Sequence, residues 1–331
     1  MSDFSERITG KCRAMPGAAV SWRGKRIDVP LPSEREEQAG SLTMIFPGGP
    51  ILFNLIDIRS QEIPDQIADP GSSGRLLKVN YCAQGRCELR LCNGECTFLT
   101  AGEISVDAGQ ALNSFYYPTG EYRGFEIAVS LDDLPAEYSA LGETLSSPEK
   151  IYDRCKPLHY PWIRSAEEPV IRMYDTFRLY VNEYDNPEMV LLLCLELIAL
   201  LSQMDYSPAA IRRTYCTASQ VEIAKRTKEM ILSDLSVRLT AKEFAKRFGV
   251  SETSLKNYFR NVYSCGYAEY QLSARMKEAA KLLKNTESKA SDIGQAVGFA
   301  SQAKFGAAFK QYFGITPLEY RRRCRLGELR N

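Results

Sequence analysis

Thr253, Lys256, Asn257 and Arg260 recur at helical spacing late in this 331-residue chain, gathering hydroxyl, ammonium, amide and guanidinium groups on one helix face. Such a face can read base edges and hold phosphates. Leu255, Phe259 and Val262 fall on the opposite side and must pack inward. A second set repeats the pattern downstream. Phe305, Ala308, Phe309 and Tyr312 form its inward stripe, which leaves Ser301, Gln302, Ala303, Lys304, Gly306, Ala307 and Lys310 outward. Arg321 and Arg322 open a guanidinium-rich run to Arg325 that suits phosphate.

Other chemistry has few residues to use. His159 is the single histidine, so a multi-histidine metal centre is excluded and a nucleophile-histidine apparatus would have to be built on it alone. In the run HYPW it reads as a loop or packing residue. Neither a GxxxxGK[ST] phosphate loop nor a GxGxxG fingerprint occurs, so no enzyme and no cofactor are expected. Cys82, Cys87, Cys92 and Cys96 are separated by four, four and three residues, which lacks the paired short spacing of structural zinc. With Asn93-Gly94 as a two-residue hairpin turn, Leu91 pairs with Cys96 and Leu89 with Phe98. Cys87 and Cys96 then share the face of Leu89 and Leu91 while Cys92 points the other way, so core packing is expected, with a thiol or metal sensor as the alternative.

These groups need elements to hold them. Thr240 and Glu243 have the spacing of a capping box, which starts a helix carrying Phe244, Ala245 and Phe248 inward. Gly249 then permits a tight turn and Ser251 caps the reading helix. Downstream, Ile293, Ala296 and Val297 precede the turn Gly298-Phe299-Ala300, Ser301 caps, and Gly314 stops the second reading helix. Tyr267 to Leu283 reads as one uninterrupted helix between the two units. It holds the reading helices at a fixed separation, which suits successive major grooves about 10 base pairs apart.

Charge divides the chain in the same place. Residues 217–331 carry 21 basic and 11 acidic residues, whereas 1–216 carry 21 basic and 30 acidic, so the two parts have net charges of +10 and −9. The C-terminal part is the expected polyanion binder. No stretch approaches the roughly 20 apolar residues of a membrane span, the N-terminal run is too polar for a secretory signal, and ten cysteines then point to reduced thiols in the cytoplasm.

Before residue 165 short apolar runs at 51–58, 75–81, 87–91, 96–99 and 125–130 are punctuated by Gly, Pro and Asn, as in an antiparallel sandwich or barrel. Tyr116, Tyr122 and Arg123 are candidate effector contacts, because an aromatic wall and a guanidinium can hold a small organic anion. The alternative is that the rings fill the interior and Arg123 pairs with Glu121 or Glu126. From Glu167 to Met204 two helices break at Asn186-Pro187, and the second is apolar on nearly every face, as suits a buried helix or a dimer interface.

Across 219–323 the chain resembles the AraC/XylS transcription regulators. The resemblance rests on LTAKEFAKRFGVSETSLKNYF, ARMKEAAKLL, DIGQAVGFASQAKFGAAFKQYFG and ITPLEYRR in that order, with Ala279, Leu282, Leu283, Ile293, Val297, Gly298, Phe299, Phe305, Phe309, Gly314, Pro317 and Tyr320 matching the family pattern. It implies an effector-responsive regulator bound to double-stranded promoter DNA, a homodimer, and RNA polymerase as a further candidate partner. The run CELRLCNGECTFLTAGEISV resembles a cupin-type hairpin. The expected fold is thus α+β: a cupin-like antiparallel β-barrel sensing an effector over 1–165, a helical dimerisation and linker region over 166–216, and an all-α double helix-turn-helix over 217–331. A ligand-independent DNA binder is the alternative. Gly294 departs from the family's Ala and predicts a looser second unit, by about 1 kcal/mol of helix propensity. Gly306 and Ala307 cannot hydrogen-bond a base, which moves direct readout to the first unit and Gln302.

Overall fold

The computed structural model describes residues 20–31, 40–61, 74–109, 111–112, 116–134, 147–158, 160–207 and 213–328, so the expectation for His159 lies outside the described residues. Two compact units are present, 1–215 and 216–331. The class is α+β. Among the described residues no helix is long and apolar enough to cross a membrane.

The first unit is built on antiparallel strands: β1 (Ser21–Arg23), β2 (Arg26–Leu31), β3 (Gly40–Ile45), β4 (Ile51–Ile58), β5 (Leu76–Leu91), β6 (Glu95–Thr100), β7 (Glu103–Asp107), β8 (Ala111–Leu112), β9 (Tyr122–Ser130) and β10 (Trp162–Ser165). Pairing runs β1-β2-β3-β4-β9-β5-β6, with β7 and β8 also on β5 and β10 on β7. No described pair joins β1 to the far end, so the expected barrel is an open, branched sheet. Its branch point is β5, where the register against β9 shifts between Cys82 and Gln84. Gly85 makes the bend possible: its φ is +87° and a Cβ there would lie 2.0 Å from the Glu121 carbonyl oxygen.

Strand β4 is apolar at every position but Asn54 and Asp57 because both its faces are covered. On one face Ile51, Phe53 and Leu55 meet the helices α2 (Glu168–Asn182) and α3 (Pro187–Ser202) through Val170, Met173, Phe177, Val181, Val190, Cys194 and Leu197. On the other, Leu52, Ile56 and Ile58 join Ile27, Val29, Leu42, Tyr117 and Tyr122. A short helix, α1 (Pro148–Cys155), adds Ile151 and Tyr152 to the first cluster. The apolar helix at 187–202 is therefore a core helix on one side, while Leu192 and Leu195 stay exposed on another.

The hairpin at Asn93-Gly94 differs from expectation by one residue. Gly94 has φ +83° and donates to the Leu91 carbonyl, so Cys92, Asn93 and Gly94 form a three-residue loop and Arg90 pairs with Cys96. A one-residue slip reverses faces. Cys96 thus leaves the Leu89 and Cys87 side, Cys82 and Cys87 join the inner cluster, and Cys92 is exposed in the turn. Burial pushes the Cys82 thiol up to about 12. Native-state alkylation near pH 7.5 is therefore expected to mark Cys92 promptly and to leave Cys82 unmarked until unfolding, its thiolate fraction being below roughly one in ten thousand. Rapid native labelling of Cys82 would contradict this burial and revive a thiol sensor.

The second unit is all helical: α4 (Ala218–Ser233), α5 (Ala241–Phe248), α6 (Glu252–Tyr263), α7 (Tyr267–Asn285), α8 (Ala290–Ala296), α9 (Gln302–Phe313) and α10 (Pro317–Arg325). The capping box at Thr240 and Glu243 is present in both directions, Gly249 is left-handed at φ +66°, and Ser251 and Ser301 each accept a backbone N–H three residues on. Helix α7 belongs to both halves. Tyr267 and Tyr270 meet Phe244 and Phe259 at ring separations of 6.1 and 5.5 Å, and Met276, Ala279, Ala280 and Leu283 pack with Ile293, Phe305 and Phe309. One rigid rod of 19 residues, about 28 Å long, thereby fixes the spacing of the two halves.

Candidate nucleic-acid interface

In α6 the stripe Leu255, Phe259 and Val262 is fully buried, and this sets Thr253, Lys256, Asn257 and Arg260 out at the surface. Lys256 lies 3.6 Å from Glu252 one turn earlier, a solvated pair worth about 0–1 kcal/mol and readily exchanged for a phosphate. Glu252 was not singled out by sequence, although its four-residue spacing from Lys256 was visible. In α9 Phe305 and Phe309 are fully buried and Ser301, Gln302, Ala303, Lys304, Ala307 and Lys310 are exposed, with Gly306 half-buried. The structure therefore gathers each predicted set on its own helix. Tyr312 departs from the expected inward stripe: it is 40% exposed and its hydroxyl lies 2.7 Å from that of Ser273 on α7.

Two positions depend on glycine. A Cβ on Gly298, at φ +80°, would stand 2.6 Å from the Ser236 carbonyl oxygen, so the turn into α9 is seated directly on the loop before α5. Gly294 also has a packing reason: a Cβ there would come within 3.0–3.1 Å of the Phe305 ring. Phe305 is itself closed in by Phe299 and Phe309 at 5.6 and 5.7 Å. The expected looseness is thus offset by close approach of the aromatic ring to bare backbone.

Residues 244–323 match the model described as a helix-turn-helix domain. The crystal structure of a transcriptional regulator from Chromobacterium violaceum, described as AraC-type DNA-binding domain-containing, is 26% identical, covering 33% of this chain and 96% of that one with a TM-score of 0.30. The Msm operon regulatory protein of Streptococcus mutans is 33% identical over 97 residues, which are 29% of this chain and 35% of that protein. The HTH-type transcriptional activator AarP of Providencia stuartii is 33% identical over 105 residues, 32% of this chain and 78% of AarP. This chain belongs to the AraC family of transcriptional regulators. It matches only 35% and 32% of the lengths of the Msm operon protein and of the regulator ArgR of Pseudomonas aeruginosa.

In this AraC-family chain the arginine run is divided in its work. Arg322 is exposed, as a phosphate contact requires, but Arg321 is half-buried and donates to the Leu283 carbonyl at 3.3 Å and the Ser288 carbonyl at 2.5 Å. It closes the C-terminal end of α7, which gives it a structural role beside the expected phosphate contact. Arg321→Ala should lower the stability of the second unit by about 1–2 kcal/mol, after discounting partial exposure, as measured by urea unfolding. An unchanged midpoint together with weakened binding to random duplex would return Arg321 to the phosphates.

The proposed effector contacts do not share one surface. Tyr122 is buried beside Tyr117 at a ring separation of 5.3 Å, and Tyr116 is also buried. Arg123, next to Tyr122 on β9, points to the opposite face by strand alternation, where its Nε lies 3.3 Å from Asp57 and its Nη1 3.2 Å from Gln84. Neither expected partner takes it. Glu121 accepts from Gln84, and Glu126 accepts from Asn54 and Asn80, its register neighbours on β4 and β5.

Proposed function

We propose that this chain is a sequence-specific, effector-responsive regulator of transcription that binds double-stranded promoter DNA as a homodimer in the cytoplasm. The observation that carries the reading is the pair of capped helices α6 and α9, each with a buried apolar stripe and an exposed polar face, fixed by α7 in a part of the chain with net charge +10. Thr253, Lys256, Asn257 and Arg260 on α6 read bases and phosphates for the first helix-turn-helix. Gln302 on α9 gives the second helix-turn-helix its base contact, while Lys304, Lys310 and Arg322 hold phosphates; Ser301, Ala303 and Ala307 line close approach.

The acidic first unit supports a sensing role, since its net charge keeps it from competing for DNA. Leu192 and Leu195, with Ile171 and Leu179 on α2, leave apolar surface on the two helices for a second copy. Coupling has a route along the chain: Arg213, just before the second unit begins, is tied to Glu103 at 2.6 Å and to the Phe98 carbonyl at 2.6 Å. Effector binding shifts an equilibrium between DNA-competent and DNA-incompetent states of the full chain. Capture of genomic fragments by the purified full chain, with and without a pool of cell metabolites, tests this reading. Enrichment of particular sites that the pool alters supports it; identical fragments in both arms would leave a DNA binder without an effector.

A further inference from the structure

The displaced Arg123 opens onto a cleft of about 460 Å³ between the sheet and α2. Strand alternation and helical spacing build its two walls. Leu55, Asp57 and Arg59 alternate along one face of β4 and its extension, and Tyr174, Arg178 and Asn182 follow at four-residue steps along α2. Asp57 stands opposite Arg123 in the β4–β9 register. Three guanidinium groups thus line the cleft with one carboxylate, an excess charge of +2 inside the acidic unit.

Stability does not account for this arrangement. The Asp57 carboxylate is divided between Arg123 at 3.3 Å and Arg59 at 3.5 Å, and Arg178 lies 3.7 Å from Asp175, itself 79% exposed, and 5.7 Å from the centre of the Tyr174 ring. All three separations are longer than the roughly 2.7–2.9 Å of a committed charge-assisted hydrogen bond. Such solvated pairs contribute little, and gathering like charges opposes folding. What the geometry does supply is three guanidinium groups lining one cleft with the apolar Leu55 and Ala83, Tyr174, Ser41 and Thr43, whose hydroxyl donates to Asp28 at 2.8 Å. Guanidinium forks match carboxylate and phosphate oxygens in pairs, and the volume is that of a small-metabolite site.

We infer that this cleft binds a compact hydroxylated organic dianion, a sugar phosphate or a hydroxy-dicarboxylate, held by Arg59, Arg123 and Arg178. The binding itself is independent of the regulator reading; only its role as the effector event rests on that reading. Calorimetric titration of the full chain at constant ionic strength, with glucose 6-phosphate, tartrate and neutral glucose as probes, tests it. At least one dianion is expected to bind and glucose not to, and the phosphate and dicarboxylate arms separate the two sources. The double variant Arg59→Gln/Arg123→Gln should weaken that dianion at least tenfold, and Arg178→Gln alone several-fold. Arg172→Gln, an exposed change on the same helix outside the cleft, should leave it unaltered. No binding by the unaltered chain, or equal affinity in the double variant, would overturn the site. Duplex binding of the same preparation without dianion is the separate readout of the regulator reading, so the two fail by different measurements.

Discussion

Phe305→Ala is expected to cost about 3–5 kcal/mol of the second unit's stability, because a fully buried ring is removed from a site that cannot collapse around the gap. Three groups of neighbours fix that site. Gly294 presents bare backbone to the ring, Phe299 and Phe309 meet it edge-on, and Met276, Ala279 and Leu283 of α7 close the remaining side. The functional consequence is specific. Helix α9 owes its orientation to Phe305 and Phe309, so the exposed face from Gln302 to Lys310 loses its fixed aim while α6 keeps its own core of Leu255, Phe259 and Val262. Denaturant unfolding of the full chain should show the second unit's transition moving to much lower urea, and footprints should shorten to one recognition element. A variant that retained wild-type stability and a two-element footprint would mean that α9 is held by something other than this aromatic core.

Asn257→Ala is expected to lower discrimination between specific and random duplex by about 1–3 kcal/mol, roughly 5- to 150-fold, while changing affinity for random DNA little. Asn257 is exposed at the outer face of α6, one turn beyond Thr253 and beside Lys256 and Arg260, so its amide is free to approach a base edge with two hydrogen bonds. The change removes no buried contact, and the fold should be unaffected. Competition titrations at two salt concentrations separate the effects, since a lost phosphate contact changes the salt slope and a lost base contact does not. Equal weakening on specific and random DNA would place Asn257 at the backbone and move base reading elsewhere on the helix.

The second unit was the more legible part of the sequence, for physical reasons. Capping residues, left-handed glycines and a 3.6-residue apolar period are local signals, and Thr240, Gly249, Ser251, Ser301 and Gly314 act where their types require. What local signals could not carry was approach in three dimensions. Gly294 looked like a weak point until Phe305 was seen against it, and Arg321 looked like its exposed neighbour Arg322 until the α7 carbonyls were placed beside it. In the first unit the strands were visible but their partners were not. Asn-Gly permits either a two- or a three-residue turn, and the longer one moved Cys96 to the other face. The pairing of Arg123 with Asp57 joins strands 66 residues apart, which no local pattern records, and Arg59 and Arg178 reach the same cleft from two further positions that sequence reading passed over.

Two reading helices held by one rod are the central feature of this chain. The measurement that tests it most directly is selection of duplexes from a random-sequence pool by the purified full chain, followed by sequencing of the bound fraction. The expected result is a motif of two short elements about 10 base pairs apart, centre to centre, with the element read by α6 the more sharply defined. Binding without sequence enrichment, or a motif with a single element, would contradict it.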